Sequence, residues 1–233
     1  MRRAKLSKIM LVTIPKVLNK EDISVIQDLM ATANFHQGTT SAGSEARRVK
    51  NNHEMFISEV ETQRLNNLVM GKLVQNPTYI AAAFAKRIAA PFYAKYSAGM
   101  FYGNHIDDPI MGPPNQRYRS DISITIFLNE PDAYDGGELI ISTAFGQQKV
   151  KLNAGDAVLY PSSSTHQVAE VTRGERLVAV TWLQSTIRDP ARREILYNLS
   201  QARETLIQKS PDSKELEQLS NGYVNLLRMW SDV

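Results

Sequence analysis

Apolar residues recur along this chain with three successive rhythms. Up to about residue 90 the spacing is helical. Ile23, Ile26, Leu29 and Met30 follow the 3.6-residue period behind Asn19, whose side chain can cap a helix start. Ser58 and Glu61 precede Leu65, Leu68, Val69 and Leu73 with the spacing of a capping box. The polar, glycine-containing stretch 38–54 predicts a loop or a short hairpin. From about 91 to 187 the rhythm is that of strands. Ile122, Ile124, Ile126 and Leu128 alternate with Asp121, Ser123, Thr125 and Phe127, which predicts a strand buried mainly on one face. Further strands are expected over 92–102, 138–142, 149–152, 157–160, 166–171 and 176–184. Turns at Asp135-Gly136-Gly137, Gly146, Asn153-Ala154-Gly155-Asp156 and Arg173-Gly174 separate the later ones. Many short strands with near-regular turns predict a barrel or jelly roll. From Asp189, a capping residue ahead of Pro190, the pattern is helical again. Ile195, Leu199, Ala202 and Leu206 make one stripe. After Ser210-Pro211, Leu216, Leu219, Tyr223, Leu226 and Trp230 make another. The expectation is an α+β fold with a jelly-roll core, N-terminal helices and a C-terminal helical hairpin that covers the barrel or a partner subunit. The domain is drawn as 1–187 and the helical extension as 188–233.

Composition narrows the classes. A chain of 233 residues with 42% hydrophobic content builds a real core. It has no cysteine, which excludes disulfides, a zinc ribbon, a thiol nucleophile and thiolate iron–sulfur ligation, and fits a reducing cytoplasm. No apolar run approaches the ~20 residues that span a bilayer. The basic start is followed by an apolar stretch, 9–14, shorter than the ~7–15 residues of a signal-peptide core and without a cleavage site. A cytoplasmic protein with no membrane partner is expected. Of the formal charge of +3, Arg2, Arg3, Lys5 and Lys8 supply four positive charges, so the remainder is close to neutral. No nucleic-acid partner is expected from so sparse a basic pattern. Residues 1–9 are expected to be dispensable, with Met10 as an alternative start.

Four histidines are present: His36, His53, His105 and His166. In extended chain, His105 and Asp107 point to the same face and can chelate one ion, while Asp108 points away. His166 can supply a third ligand. Two imidazoles and one carboxylate form a facial triad with three open positions, which favours non-haem Fe(II). His-x-Asp is common by chance, so a further feature must decide. That feature is Arg176, expected across a hairpin from His166 and sharing strand parity with Val178, Val180 and Trp182. An interior guanidinium is costly without a ligand, and its fork suits the far carboxylate of a 2-oxo acid chelated to iron. Arg173, in the turn, should be solvated. A non-catalytic, cupin-like metal-binding barrel, a sensor or binding module, would keep the triad but not need Arg176. A zinc hydrolase would need a general base that the sequence does not mark.

Several stretches carry a family resemblance: Tyr102-Gly103-Asn104-His105-Ile106-Asp107, Leu128-Asn129-Glu130, Asp135-Gly136-Gly137-Glu138-Leu139, Tyr160-Pro161-Ser162, His166-Gln167-Val168, Arg173-Gly174-Glu175-Arg176 and Val49-Lys50-Asn51-Asn52. Together they resemble the PKHD-type hydroxylases, bacterial members of the prolyl-4-hydroxylase-like iron and 2-oxoglutarate dioxygenases, often associated with iron uptake. The resemblance covers nearly the whole chain from Met10. It implies a double-stranded β-helix, Fe(II), 2-oxoglutarate as co-substrate and usually L-ascorbate. It also implies that a tyrosine on the strand before His-x-Asp binds the co-substrate: Tyr96 is the best match and Tyr102 the second. The reaction it implies is hydroxylation of a C–H bond coupled to decarboxylation of 2-oxoglutarate to succinate. A prolyl or lysyl side chain, a siderophore and a small metabolite all remain open as substrates. Pairing of two copies through the C-terminal helices is a further expectation. Lys50 and Asn52 are expected on a solvated loop near the mouth, Trp182 in the core, and Gly136-Gly137 as a turn.

Overall fold

The computed structural model describes residues 10–41, 43–143 and 145–233. The expectations for residues 1–9 lie outside these. Two antiparallel sheets face each other. The larger runs in the order Val12–Ile14, Ala157–Pro161, Ile122–Phe127, Val171–Ser185, Phe92–Ser97, His53–Phe56, Asn34–Gln37. Ala85–Ile88 and Tyr134–Gly136 also pair with its long strand. The smaller runs Gly146–Val150, Leu139–Thr143, His166–Val168, Phe101–His105, Lys50–Asn51. Their inner faces pack through Tyr96, Phe127, Val178, Leu139, Ile141 and Val168. The outer face of the larger sheet packs Ile122, Ile124 and Ile126 against Ile26, Leu65 and Val69 of the helices. This is the jelly-roll architecture expected, with helices on one side.

The Ile122–Phe127 strand differs from its expectation in being buried at every position. It lies between the helix layer and the second sheet, so Ser123 and Thr125 face the interior instead of water. The stretch 92–102 is two strands, Phe92–Ser97 and Phe101–His105, in different sheets. Gly99, at φ 84°, makes the turn between them, and Met100 N donates to Ser97 O at 2.9 Å. Arg173-Gly174 is not a turn: Val171–Ser185 is one continuous strand. Gly174 is needed because a Cβ there would stand 2.3 Å from the carbonyl oxygen of Ala133 on the neighbouring segment. The 38–54 stretch links the antiparallel pair Asn34–Gln37 and His53–Phe56, and it includes the short helix Ser44–Arg47 and the strand Lys50–Asn51.

Both N-terminal capping boxes form: Asn19 with Asp22 opens Lys20–Thr32, and Ser58 with Glu61 opens Glu59–Gln75. A helix the pattern did not announce, Pro77–Ala83, is capped by Asn76. The C-terminal helices are Pro190–Lys209, capped by Asp189, and Lys214–Trp230, capped by Ser213. The buried positions of the first are Arg193 and Leu196, while Ile195 is 46% exposed. Of the expected stripe Leu199 and Leu206 are half-buried while Ile195 and Ala202 are exposed, because the helix docks by its first turns, where Arg193 donates to Ile187 O at 2.7 Å and Arg188 O at 3.0 Å. No described helix is long and apolar enough to cross a membrane.

Candidate active site

His105 ends one strand, His166 begins another, and the two are register partners in the smaller sheet. Their ring centroids are 4.2 Å apart. Asp107 lies just beyond the strand end. Its Oδ1 is 4.0 Å from His105 Nε2 and its Oδ2 is 3.8 Å from His166 Nε2. One ligand atom from each residue lies within 4.8 Å of the others. These separations are too long for hydrogen bonds and short enough for one shared ion.

The donor set is prepared for a metal. His105 Nδ1 donates to Gly103 O at 2.8 Å and His166 Nδ1 to Ser164 O at 2.9 Å. A carbonyl only accepts, so each ring carries its proton on Nδ1 and presents a bare Nε2. Burial, followed by the neighbouring His166, holds the His105 pKa below its ordinary value, which keeps the imidazole neutral. Asp107 accepts a hydrogen bond from the Ser123 hydroxyl. Tyr102 stacks on His105 with centroids 3.6 Å apart and planes 13° from parallel. Asp108, expected to point away, is exposed but also lines the cavity that holds this cluster.

The triad opens into a cavity of about 660 Å³ that Tyr96, Tyr102 and Arg176 also line. Arg176 is 1% exposed. It does not lie beside His166 across a hairpin, as expected. The two residues belong to opposite sheets and meet across the cavity. The expected parity holds, with Val180 and Trp182 lining the same cavity. Among the described residues Arg176 has no carboxylate partner, and its Nε has no hydrogen-bond partner. Tyr96 is its cross-strand partner; burial raises the Tyr96 hydroxyl to about 12 against the opposing pull of Arg176. Arg173 is exposed and paired with Asp135 at 2.6 Å, as expected of a solvated arginine.

Comparison with known proteins agrees with this geometry. The 2OG-Fe(II) oxygenase superfamily profile matches residues 91–184, and the PKHD-type hydroxylase C-terminal domain matches residues 190–232. A PKHD-type hydroxylase of Thioalkalivibrio sulfidiphilus is 49% identical over 224 residues, spanning 96% of this chain and 100% of the relative. The chain belongs to the PKHD-type hydroxylases. A prolyl hydroxylase from Trichoplax adhaerens, solved in complex with a hypoxia inducible factor oxygen degradation domain peptide fragment, shares the fold. Its TM-score is 0.55 at 17% identity, over 82% of this chain and 86% of that one. An oxidoreductase of the 2OG-Fe(II) oxygenase family from Burkholderia pseudomallei gives 0.56 at 16% identity, over 74% and 82%. As a PKHD-type hydroxylase the chain is an Fe(II)- and 2-oxoglutarate-dependent enzyme, which sets aside the non-catalytic barrel and the zinc hydrolase.

Other residues of this PKHD-type cavity differ from the sequence reading. Lys50 is not on a solvated loop: its Nζ lies 2.6 Å from Glu54 Oε1, with both side chains buried. Ser41 Oγ donates to Glu54 at 2.6 Å and accepts from Lys50 at 2.9 Å. Asn52 is buried in the same wall. The signal was available, since 50, 52 and 54 share a face in extended chain. Trp182 is cavity lining instead of core, with Phe92 edge-on at 5.8 Å.

Proposed function

We propose that His105, Asp107 and His166 hold the Fe(II), and that Arg176, with Tyr96 beside it, receives the distal carboxylate of 2-oxoglutarate. The observation that carries this reading is the buried Arg176 guanidinium, which faces the metal-ligand cluster across one cavity without a counter-ion. A planar fork whose Nε is unpaired matches a carboxylate in shape and charge. The residues therefore fit both groups. When bound, iron, 2-oxoglutarate and dioxygen would supply the oxidative decarboxylation that puts one dioxygen atom into succinate and the other into a substrate C–H bond, with carbon dioxide released.

The chain's own part is to orient and to exclude water. The two Nδ1 hydrogen bonds fix the rings so that both Nε2 atoms face Asp107. Val168, Leu139, Ala94 and Val180 line the cavity with apolar groups that leave Arg176 its strongest interaction with an anion. Tyr96, a phenol that burial keeps protonated to still higher pH, is a hydrogen-bond donor beside that anion. L-Ascorbate is proposed as the reductant that maintains Fe(II), and a small molecule or peptide as the substrate. A link to iron uptake is proposed on the family resemblance, and an iron-limited culture that leaves expression unchanged would oppose it.

The test is anaerobic titration of 2-oxoglutarate into the Fe(II)-loaded protein, followed by aerobic succinate release with and without ascorbate. A charge-transfer band and iron-dependent succinate are expected. The absence of both signals in a correctly folded, iron-loaded sample would refute the reading.

A further inference from the structure

We infer that Ser123, backed by Ser162, is a positioning residue that fixes Asp107 as a one-oxygen metal ligand; the inference rests on the metal-site reading above. The three ligands are not held alike. His105 and His166 sit on paired strands, and each ring is locked by a carbonyl two residues upstream. Asp107 lies outside any strand, with no ladder of backbone hydrogen bonds to aim it. Its carboxylate is aimed by the Ser123 hydroxyl, which reaches Oδ2 from the inner face of the opposite sheet. Ser123 Oγ is 2.7 Å from Ser162 Oγ, and both residues are buried, at 0% and 1% exposure.

Chemistry fixes the direction of both bonds. An ionised carboxylate only accepts, so the Ser123 proton points at Asp107. A hydroxyl has one proton, so Ser123 must accept from Ser162. The result is a one-way chain, Ser162 to Ser123 to Asp107 Oδ2. With one Oδ2 lone pair taken by Ser123, Oδ1, 4.0 Å from His105 Nε2, is the oxygen with both lone pairs available to an ion shared with the two imidazoles. A single-oxygen carboxylate together with two nitrogens keeps three positions open on a six-coordinate metal. Two buried serines that only satisfied each other would need no third partner.

The same segment grips the loop that carries Asp107. Ser120 Oγ donates to Asp108 O at 2.5 Å, and Ser120 N to Pro109 O at 3.1 Å. Ser162 N in turn donates to Asp121 O at 3.2 Å. Residues 120–123 thus hold 107–109 by side-chain and backbone bonds, and Ser123 is the only one of these that touches a ligand atom among the described residues.

The experiment is Co(II) binding to the metal-free full-length chain, read by calorimetry and by the visible Co(II) bands, with the metal-free melting temperature recorded for each variant. Ser123→Ala should weaken Co(II) binding by about 10- to 100-fold, the usual effect of losing a residue that orients a ligand, and should alter the bands. Ser162→Ala should weaken it less, in the same direction. Ser123→Thr, which keeps the hydroxyl, should return most of the affinity. Wild-type affinity in Ser123→Ala overturns the inference, as do equal losses in Ser123→Ala and Ser123→Thr, which would point to volume and not to the hydroxyl. Should Ser123→Ala fail to fold, Ser162→Ala decides, and unchanged affinity and bands there overturn the chain of donors. A wild-type chain that binds no Co(II) would instead refute the metal-site reading itself, so the two failures are distinct.

Discussion

Arg176 and Tyr96 are direct partners across two antiparallel strands, with the guanidinium carbon 5.0 Å from the centre of the tyrosine ring. A second aromatic face, that of Phe127, lies at 5.6 Å. Such contacts offset roughly 0.5–2 kcal/mol each, while desolvating a cation costs several kcal/mol. The aromatic cradle shapes the site but leaves a need for an anion. Arg176→Ala is therefore expected to retain metal and to weaken 2-oxoglutarate binding by about 2–5 kcal/mol, the cost of truncating a buried charge pair. Arg176→Lys should recover part of it, because an ammonium offers charge without the fork. Anaerobic titration of the charge-transfer band measures both, and wild-type affinity in Arg176→Ala would refute the assignment.

His105→Ala, Asp107→Ala and His166→Ala should each abolish tight metal binding, since two remaining protein ligands are too few. Metal content after desalting is the measurement. Retention of a full equivalent by the Asp107 variant would exclude Asp107 and direct the same test to Asp108.

Gly137 has φ 66°, and a Cβ there would meet Arg176 Cδ at 3.1 Å and Tyr134 and Val171 atoms at 3.0 Å. Gly137→Ala should cost about 1–3 kcal/mol in backbone strain and also displace the Arg176 side chain. The expected pair of results is a lower melting temperature together with weaker 2-oxoglutarate binding at unchanged metal affinity. Loss of stability alone would show that Arg176 tolerates the shift.

Arg193 is 2% exposed and has backbone carbonyls, not a carboxylate, as its hydrogen-bond partners: Ile187, Arg188 and, at 3.4 Å, Asp121. Arg193→Ala removes the donor to the Ile187 and Arg188 oxygens, while Asp121 O keeps the Ser162 N–H, at about 1–3 kcal/mol for a buried unsatisfied group. For a chain of this size each kcal/mol lowers the melting temperature by roughly 2–4 °C. A thermal melt unchanged from wild type would show that the helix docks without it.

The cluster of His105, Asp107 and His166 was legible because chelation imposes spacing: His105 and Asp107 share a face at two residues apart. Arg176 was legible because strand parity placed a charge among Val178, Val180 and Trp182. The helix starts at Asn19, Ser58 and Asp189 were legible from their own caps. What was not legible depended on distant chain. Gly174 resembles a turn residue, yet its freedom accommodates the Ala133 carbonyl of another segment. Ile122–Phe127 alternates like a half-exposed strand, yet its polar side faces a cavity that only the second sheet creates. Ser123 and Ser162 carry no local signature, since a strand serine is remarkable only when a carboxylate arrives opposite it. The stripe from Ile195 to Leu206 follows helical spacing, but the docking contact selected the neighbouring Arg193 and Leu196.

The long strand Val171–Ser185 lies between Ile122–Phe127 and Phe92–Ser97, both of which precede it in the chain. A ribosome makes those two first, so they wait with unpaired edges until the strand that joins them has emerged. His105 and Asp107 are likewise made before His166, and Arg176 after all three. All three proposed ligands therefore precede the strand that closes the larger sheet, and Arg176 arrives only with that strand. The order of translation thus makes the arrival of the buried arginine and the closure of the larger sheet one event.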